Sequence, residues 1–301
     1  MRIDERLGGG APPSFSFEFF PPRTEEGERN LADALEELSG MDPTFVSVTY
    51  GAFGSSTQRQ KTIDIVAGIK NDYGLEAMAH FTCVSATVED LRTTLDTMRD
   101  AGIENVLALR GDPPAGQDEW TATEGGLRYS RELIEMIRAD YPEFAIGAAC
   151  FPEVHIHATS PEDDLRYLKE KVDAGARFLI TQLFYDNDFY YDFVSRAREI
   201  GIDVPIVPGI MPITNYAQIK KITSLCGSVI PGHLVAELEG RADDPRAVTD
   251  FGVAYATLQC ADLLAKGAPG IHFYTLNRSP ATRAILSALR AMAPWRGAVP
   301  V

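Results

Sequence analysis

The sequence predicts a single-domain (β/α)8 TIM barrel. Three observations carry this expectation. Eight short runs of β-branched or aromatic residues are each followed by amphipathic helical sequence, the alternation that builds parallel sheets through right-handed crossovers. Eight such units close naturally into a barrel. No run is followed by a G-x-G-x-x-G turn, the usual sign of a doubly wound open sheet, and no linker, low-complexity tract or composition break divides the 301 residues.

In chain order, strands are predicted over 14–20, 45–50, 77–83, 105–110, 144–150, 177–184, 204–209 and 270–275. Helices are predicted over 25–39, 57–72, 87–101, 126–140, 161–174, 187–200, 215–225, 249–266 and 280–291. The first strand, Ser14-Phe15-Ser16-Phe17-Glu18-Phe19-Phe20, is stopped by Pro21-Pro22. Thr87 is placed to cap a helix with Asp90 three residues on, and Ser160-Pro161 combines a cap with proline at the first helical position. Gly102 and Gly175 fall where C-terminal caps are needed. Residues 1–13 are polar and Gly/Pro-rich and read as a flexible N-terminal arm, leaving 14–301 as the barrel catalytic domain. The irregular stretches 113–125 and 229–248 read as barrel loops.

Composition narrows the function. The chain is 45% hydrophobic and 24% charged, as expected of a globular protein with a sizeable core. A net charge of −15 argues against nucleic acid as a partner, while local arginines still allow anionic small ligands. Neither a signal-peptide core nor an apolar run of membrane-spanning length is present. Cys83, Cys150, Cys226 and Cys260 are scattered without a C-x-x-C, which suits reduced thiols and a cytoplasmic setting. Self-association into a homo-oligomer is compatible with this sequence.

Chemistry in such barrels sits at the C-terminal ends of the strands. There the sequence offers Glu18, Thr49-Tyr50, His80 with Thr82, Arg110-Gly111-Asp112, Glu153 with His155, Gln182, then Thr275, Asn277 and Arg278. Glu18 lies within a run of aromatics, so desolvation is expected to raise its pKa toward that of a general acid working near neutrality. The alternative is a buried ion pair with Arg23 or Arg278. His155-x-His157 would suit a metal-dependent hydrolase, but strand 1 supplies no histidine ligand. All seven lysines fall in helical stretches, which disfavours a Schiff-base aldolase.

Eight segments in order carry a resemblance. Ser16-Phe17-Glu18-Phe19-Phe20-Pro21-Pro22-Arg23, Phe45-Val46-Ser47-Val48-Thr49-Tyr50-Gly51, Leu109-Arg110-Gly111-Asp112 and Pro152-Glu153-Val154-His155 are four of them. Lys171-Val172-Asp173-Ala174-Gly175-Ala176, Ile180-Thr181-Gln182, Pro208-Gly209-Ile210 and His272-Phe273-Tyr274-Thr275-Leu276-Asn277-Arg278 complete the set. From about residue 14 to 290 the chain resembles methylenetetrahydrofolate reductases of the short bacterial form. The resemblance implies reduction of 5,10-methylenetetrahydrofolate to 5-methyltetrahydrofolate by NADH or NADPH. It makes Glu18 the catalytic acid and places Asp112 beside the pterin and the reactive part of the cofactor. It gives Gln182 to the pterin, Tyr216 to stacking on the ligand, and Arg278 to the anionic glutamate tail. A folate- or flavin-binding barrel without catalysis is the competing reading, and the presence of Glu18, Asp112 and Gln182 speaks against it.

The resemblance also implies flavin adenine dinucleotide, with Thr49, His80, Arg110, Asp112, Asp164 and Lys171 at matching positions. Three positions depart. Phe151 replaces a tyrosine, Tyr167 an asparagine, and Glu170 an arginine. An added carboxylate and a bulky ring would oppose a pyrophosphate. These departures predict weak or absent flavin binding, with hydride passing directly from nicotinamide to the iminium formed when the substrate ring opens.

Overall fold

The computed structural model describes residues 1–8, 12–50, 56–112 and 121–297. The strands are β1 Ser14–Phe19, β2 Phe45–Val48, β3 Ala77–Thr82, β4 Asn105–Leu109, β5 Ala145–Cys150, β6 Phe178–Thr181, β7 Ile206–Val207, β8 Gly209–Ile210 and β9 Gly270–Tyr274. Their order is β7-β6-β5-β4-β3-β2-β1-β9-β8, all parallel. The predicted strand 204–209 is split at Pro208, which has no amide proton to donate. Its first half pairs with β6 and its second with β9. The Pro208 carbonyl accepts from His272 N at 2.9 Å, so the two halves close an eightfold (β/α)8 barrel in one domain.

The helices are α1 Glu25–Ser39, α2 Ser56–Asp72, α3 Val88–Asp100, α4 Ser130–Asp140, α5 Pro161–Ala174, α6 Asn187–Glu199, α7 Tyr216–Cys226, α8 Gly232–Glu239, α9 Pro245–Ala265 and α10 Pro280–Met292. Thr87 and Asp90 form a reciprocal capping box, and Ser160 Oγ accepts from Asp163 N at 3.1 Å ahead of Pro161. Three details differ from the sequence reading. α4 begins at Ser130 rather than 126, because Glu132 Oε2 caps the amides of Arg128 and Tyr129. α9 begins four residues early, where Asp244 Oδ1 accepts from Arg246 N and Ala247 N. α8 lies inside the stretch 229–248 that was expected to be loop, and its Leu234 and Leu238 are fully buried. Of the expected loop 113–125, residues 113–120 lie outside the described residues, as does Gly51 of the second motif.

Residues 1–8 are not the loose arm the sequence suggested. Ile3 is fully buried and Leu7 nearly so, within a cluster of Phe45, Met78, Leu107, Phe178, Ile180 and Val207. Ile3 N donates to Asn105 Oδ1 at 2.8 Å. The polar composition concealed two apolar anchors that plug the N-terminal end of the barrel. Residues 9–11 of the same arm lie outside the described residues.

Candidate active site

Strand alternation decides the surroundings of Glu18. Phe15, Phe17 and Phe19 belong to the core between sheet and helices, with Phe15 against Trp295 at 5.8 Å. Ser16 and Glu18 take the opposite face, toward the barrel interior. The carboxyl is therefore surrounded by imidazoles and not by the aromatics beside it in sequence. His80 Nε2 lies 3.2 Å from Glu18 Oε2, and His272 Nε2 lies 3.4 Å from the same oxygen. His80 Nε2 is buried without an aligned hydrogen bond. His272 is fully buried, its Nδ1 is 2.8 Å from Ser16 Oγ, and its ring stacks on Phe45 with centroids 5.9 Å apart.

This geometry corrects the expected pKa. Burial pushes the Glu18 carboxyl up, as the sequence reading held. The adjacent His80 and the hydrogen bond from His272 outweigh it and hold the group at about 2. The expected partners Arg23 and Arg278 are replaced by two histidines. One of these, His80, was singled out in the sequence. The other was missed, although the alternation Gly270, His272, Tyr274 along β9 marks a face that parallel pairing turns toward Ser16 and Glu18.

The remaining candidates take separate positions on the rim. Thr49 follows β2, and its amide donates to Phe19 O at 2.8 Å. Arg110 is half-buried after β4, and its Nε donates to Gly111 O at 3.2 Å. Asp112 and Arg278 are exposed. Gln182 follows β6, and its Oε1 accepts from Leu183 N at 2.9 Å, which leaves the amide nitrogen for a ligand. Tyr216 opens α7, with its hydroxyl 3.4 Å from Glu239 Oε1 and Lys220 over its ring. The structure thus joins Glu18 to His80, while the described contacts do not join Asp112, Gln182, Tyr216 and Arg278 to one another.

A second group forms around β5 and α5. Lys171 Nζ donates to Ala149 O at 2.7 Å, and burial pushes its ammonium down. Asp164 Oδ2 accepts from His155 N at 3.2 Å, and burial pushes its carboxyl up. Burial, Arg110, His157 and Lys171 together push His155 down to about 4. His155 Nδ1 is occupied by the His157 amide at 3.1 Å. Among the described residues no cluster of three His, Cys, Asp or Glu side chains has metal-holding geometry.

One of the three objections to a flavin, the added charge, weakens here. Glu170 is held by Arg166 at 3.1 Å and Arg131 at 3.5 Å, so its carboxylate is compensated. Tyr167 is half exposed, with Arg166 stacked 4.3 Å over its ring. Phe151 still lacks a hydroxyl, and its ring packs against His155 at 4.5 Å. Ser47 Oγ and Thr82 Oγ1, near the ends of β2 and β3, are buried without hydrogen-bond partners. With the unpaired Nε2 of His80 they are hydroxyl and imidazole groups of the kind that suit a polar dinucleotide.

A parallel α/β barrel with a carboxylate between two imidazoles at the C-terminal ends of its strands defines a class of barrel suited to proton transfer. The sequence places it more narrowly. The family model for methylenetetrahydrofolate reductase matches residues 2–290, and the chain belongs to that family. It is 41% identical to 5,10-methylenetetrahydrofolate reductase of Escherichia coli, covering 91% of this chain and 90% of that one. It is 43% identical to methylenetetrahydrofolate reductase (NADH) 1 of Arabidopsis thaliana, covering 94% of this chain and 50% of that one. The chain spans about half the length of the plant relatives it matches. A solved structure from Clostridium thermocellum, described as binding two copies of 5-methyl-5,6,7,8-tetrahydrofolic acid, superposes with a TM-score of 0.63. At 17% identity, over 96% of this chain and 97% of that one, it shares the fold. No helix among the described residues is long and apolar enough to cross a membrane.

Proposed function

We propose that this chain reduces 5,10-methylenetetrahydrofolate to 5-methyltetrahydrofolate in the cytoplasm with NADH as hydride donor. The observation that carries the reading is Glu18 between His80 and His272 in a chain of this family. Protonation of one substrate nitrogen opens the ring to an iminium that accepts hydride. Glu18 transfers that proton. Gln182 and Asp112 orient the pterin, Tyr216 stacks on it, and Arg278 meets the anionic tail. The NADH in the relatives' names supports that donor over NADPH. Incubation with NADH and methylenetetrahydrofolate, followed by chromatographic detection of methyltetrahydrofolate, tests the reading. Oxidation of NADH without a methylated product would overturn it.

Flavin adenine dinucleotide is part of the proposal, because unpaired buried hydroxyl and imidazole groups at Ser47, Thr82 and His80 suit it and the charge of Glu170 is compensated. When bound, it would accept hydride from nicotinamide and deliver it to the iminium. Thr49, His80, Arg110, Asp164 and Lys171 would hold it. The purified protein is expected to be yellow, with absorbance near 450 nm. A colourless protein that reduces the folate with NADH alone would restore the direct transfer the sequence suggested.

Gln182→Ala and Arg278→Ala are each expected to weaken folate binding by about fivefold, the effect of losing one hydrogen bond worth about 1 kcal/mol. NADH binding should be unchanged. Unaltered folate affinity in both variants would place the pterin elsewhere.

A further inference from the structure

We propose that Ser228 and Glu153 position Gln182 for the pterin, holding its side-chain amide so that it meets the substrate with N–H groups only. The inference rests on the reductase reading and adds two positioning residues beside that binding residue.

The end of β6 fixes the amide first. Gln182 N donates to Cys150 O at 2.8 Å, which seats the residue against β5. Its Oε1 accepts from Leu183 N at 2.9 Å. A backbone N–H can only donate, so the atom turned toward it is the oxygen, and the amide nitrogen is left for the substrate. Gln182 therefore offers donors and matches a hydrogen-bond acceptor on the pterin ring.

Leu183 is held in turn from a distant element. Ser228, just beyond α7, donates through Oγ to Leu183 O at 2.7 Å. The Leu183 side chain is buried, so packing and hydrogen bonds at both its amide and its carbonyl fix this residue. The loop that carries Ser228 is clasped from the end of β5. Val229 N donates to both Glu153 oxygens, at 3.1 and 3.0 Å. The Val229 side chain is exposed, so polar contacts and not burial hold it there. Glu153 draws on the Ser228 hydroxyl as well. A hydroxyl has one proton, and the 2.7 Å contact gives it to Leu183 O. The Cys226 thiol, 3.3 Å from Ser228 Oγ, supplies a donor that this oxygen can still accept. Glu153, Gln182, Leu183, Cys226 and Ser228 line one cleft. The clasp thus ties the loops after β5 and α7 to the side chain at the end of β6 that reads the pterin. No described hydrogen bond or ion pair joins Ser228 or Glu153 to Glu18, so changing them leaves the acid in place.

The test is a double-mutant cycle on folate KM, with kcat and NADH KM measured alongside. Gln182→Ala is expected to weaken folate binding about fivefold. Ser228→Ala should raise folate KM about threefold, with kcat at saturating folate and NADH KM unchanged. Ser228→Thr keeps the hydroxyl and should restore the wild-type KM. Glu153→Ala should raise folate KM in the same way, and decides the matter if Ser228→Ala does not fold. Glu153→Gln, which keeps an acceptor for Val229 N, should raise it less. Ser228→Ala combined with Gln182→Ala should weaken binding no more than Gln182→Ala alone, since Ser228 acts only through Gln182. Additive losses giving a combined effect of about 15-fold, or a kcat that falls as far as KM rises, overturn the proposal. The side-chain amide of Gln182 in the free protein gives a readout without turnover. Its nitrogen-15 NMR signals should shift in Ser228→Ala and return in Ser228→Thr, and signals that stay in place also overturn the proposal. If wild type makes no methyltetrahydrofolate, the reductase reading falls, while those amide signals still decide whether Ser228 positions Gln182.

Discussion

Glu18→Gln is expected to lower reduction of methylenetetrahydrofolate by about 10²–10⁴-fold while the barrel stays folded. The amide is nearly the size of the carboxyl and keeps an oxygen for His80 and His272, but it cannot carry a proton to the substrate. Near-normal turnover would remove Glu18 from the acid role. The same variant tests the electrostatics by a route independent of activity. The Glu18 carboxyl moves from an ordinary 4.5 to about 2 on folding. At 1.36 kcal/mol per unit this is about 3 kcal/mol at most. A depressed carboxyl contributes stability that is present above pH 4.5 and is lost as pH falls through about 2. Wild type should therefore lose urea resistance more steeply between those values than Glu18→Gln. Parallel curves would show that the imidazoles do not hold the carboxylate.

The barrel was legible because its signals are local. Each strand announced itself by β-branched or aromatic residues, and each boundary by a cap such as Thr87 with Asp90 or Ser160 with Pro161. What the sequence obscured depended on which face a residue takes. Glu18 reads as a carboxylate among phenylalanines, yet the period of two sends Phe17 and Phe19 outward and Glu18 toward His80 and His272. Neighbours in sequence predicted a raised pKa, and neighbours across strands lowered it. Ile3 and Leu7 were hidden in a polar segment because plugging a barrel needs only two apolar side chains. Each of these misreadings concerns a contact between elements, which composition and spacing do not encode.

Gly209→Ala is expected to destabilise the protein by about 3 kcal/mol and to weaken folate binding with it. Gly209 stands where the split strand crosses between β6 and β9. A Cβ built there would lie 2.4 Å from Thr181 O, 2.6 Å from Tyr274 Oη and 2.7 Å from Tyr274 Cε2. The first of these is backbone and cannot swing aside. The second is the hydroxyl that donates to that carbonyl at 2.6 Å, while Gly209 N donates to Thr181 Oγ1 at 2.9 Å. The methyl group would force this seam apart, adding an overpacking cost of about 1–3 kcal/mol to the loss of a buried hydrogen bond worth roughly 1–3. Function should follow stability, because Thr181 precedes Gln182 and Tyr274 pairs in register with Glu18. Denaturant midpoints and folate KM measure the two effects. Tyr274→Phe removes only the hydroxyl and should cost less. Combined with Gly209→Ala it should cost less than the sum, since both act on one contact. Strict additivity, or a wild-type midpoint for Gly209→Ala, would show that this seam is not where the barrel is closed tightly.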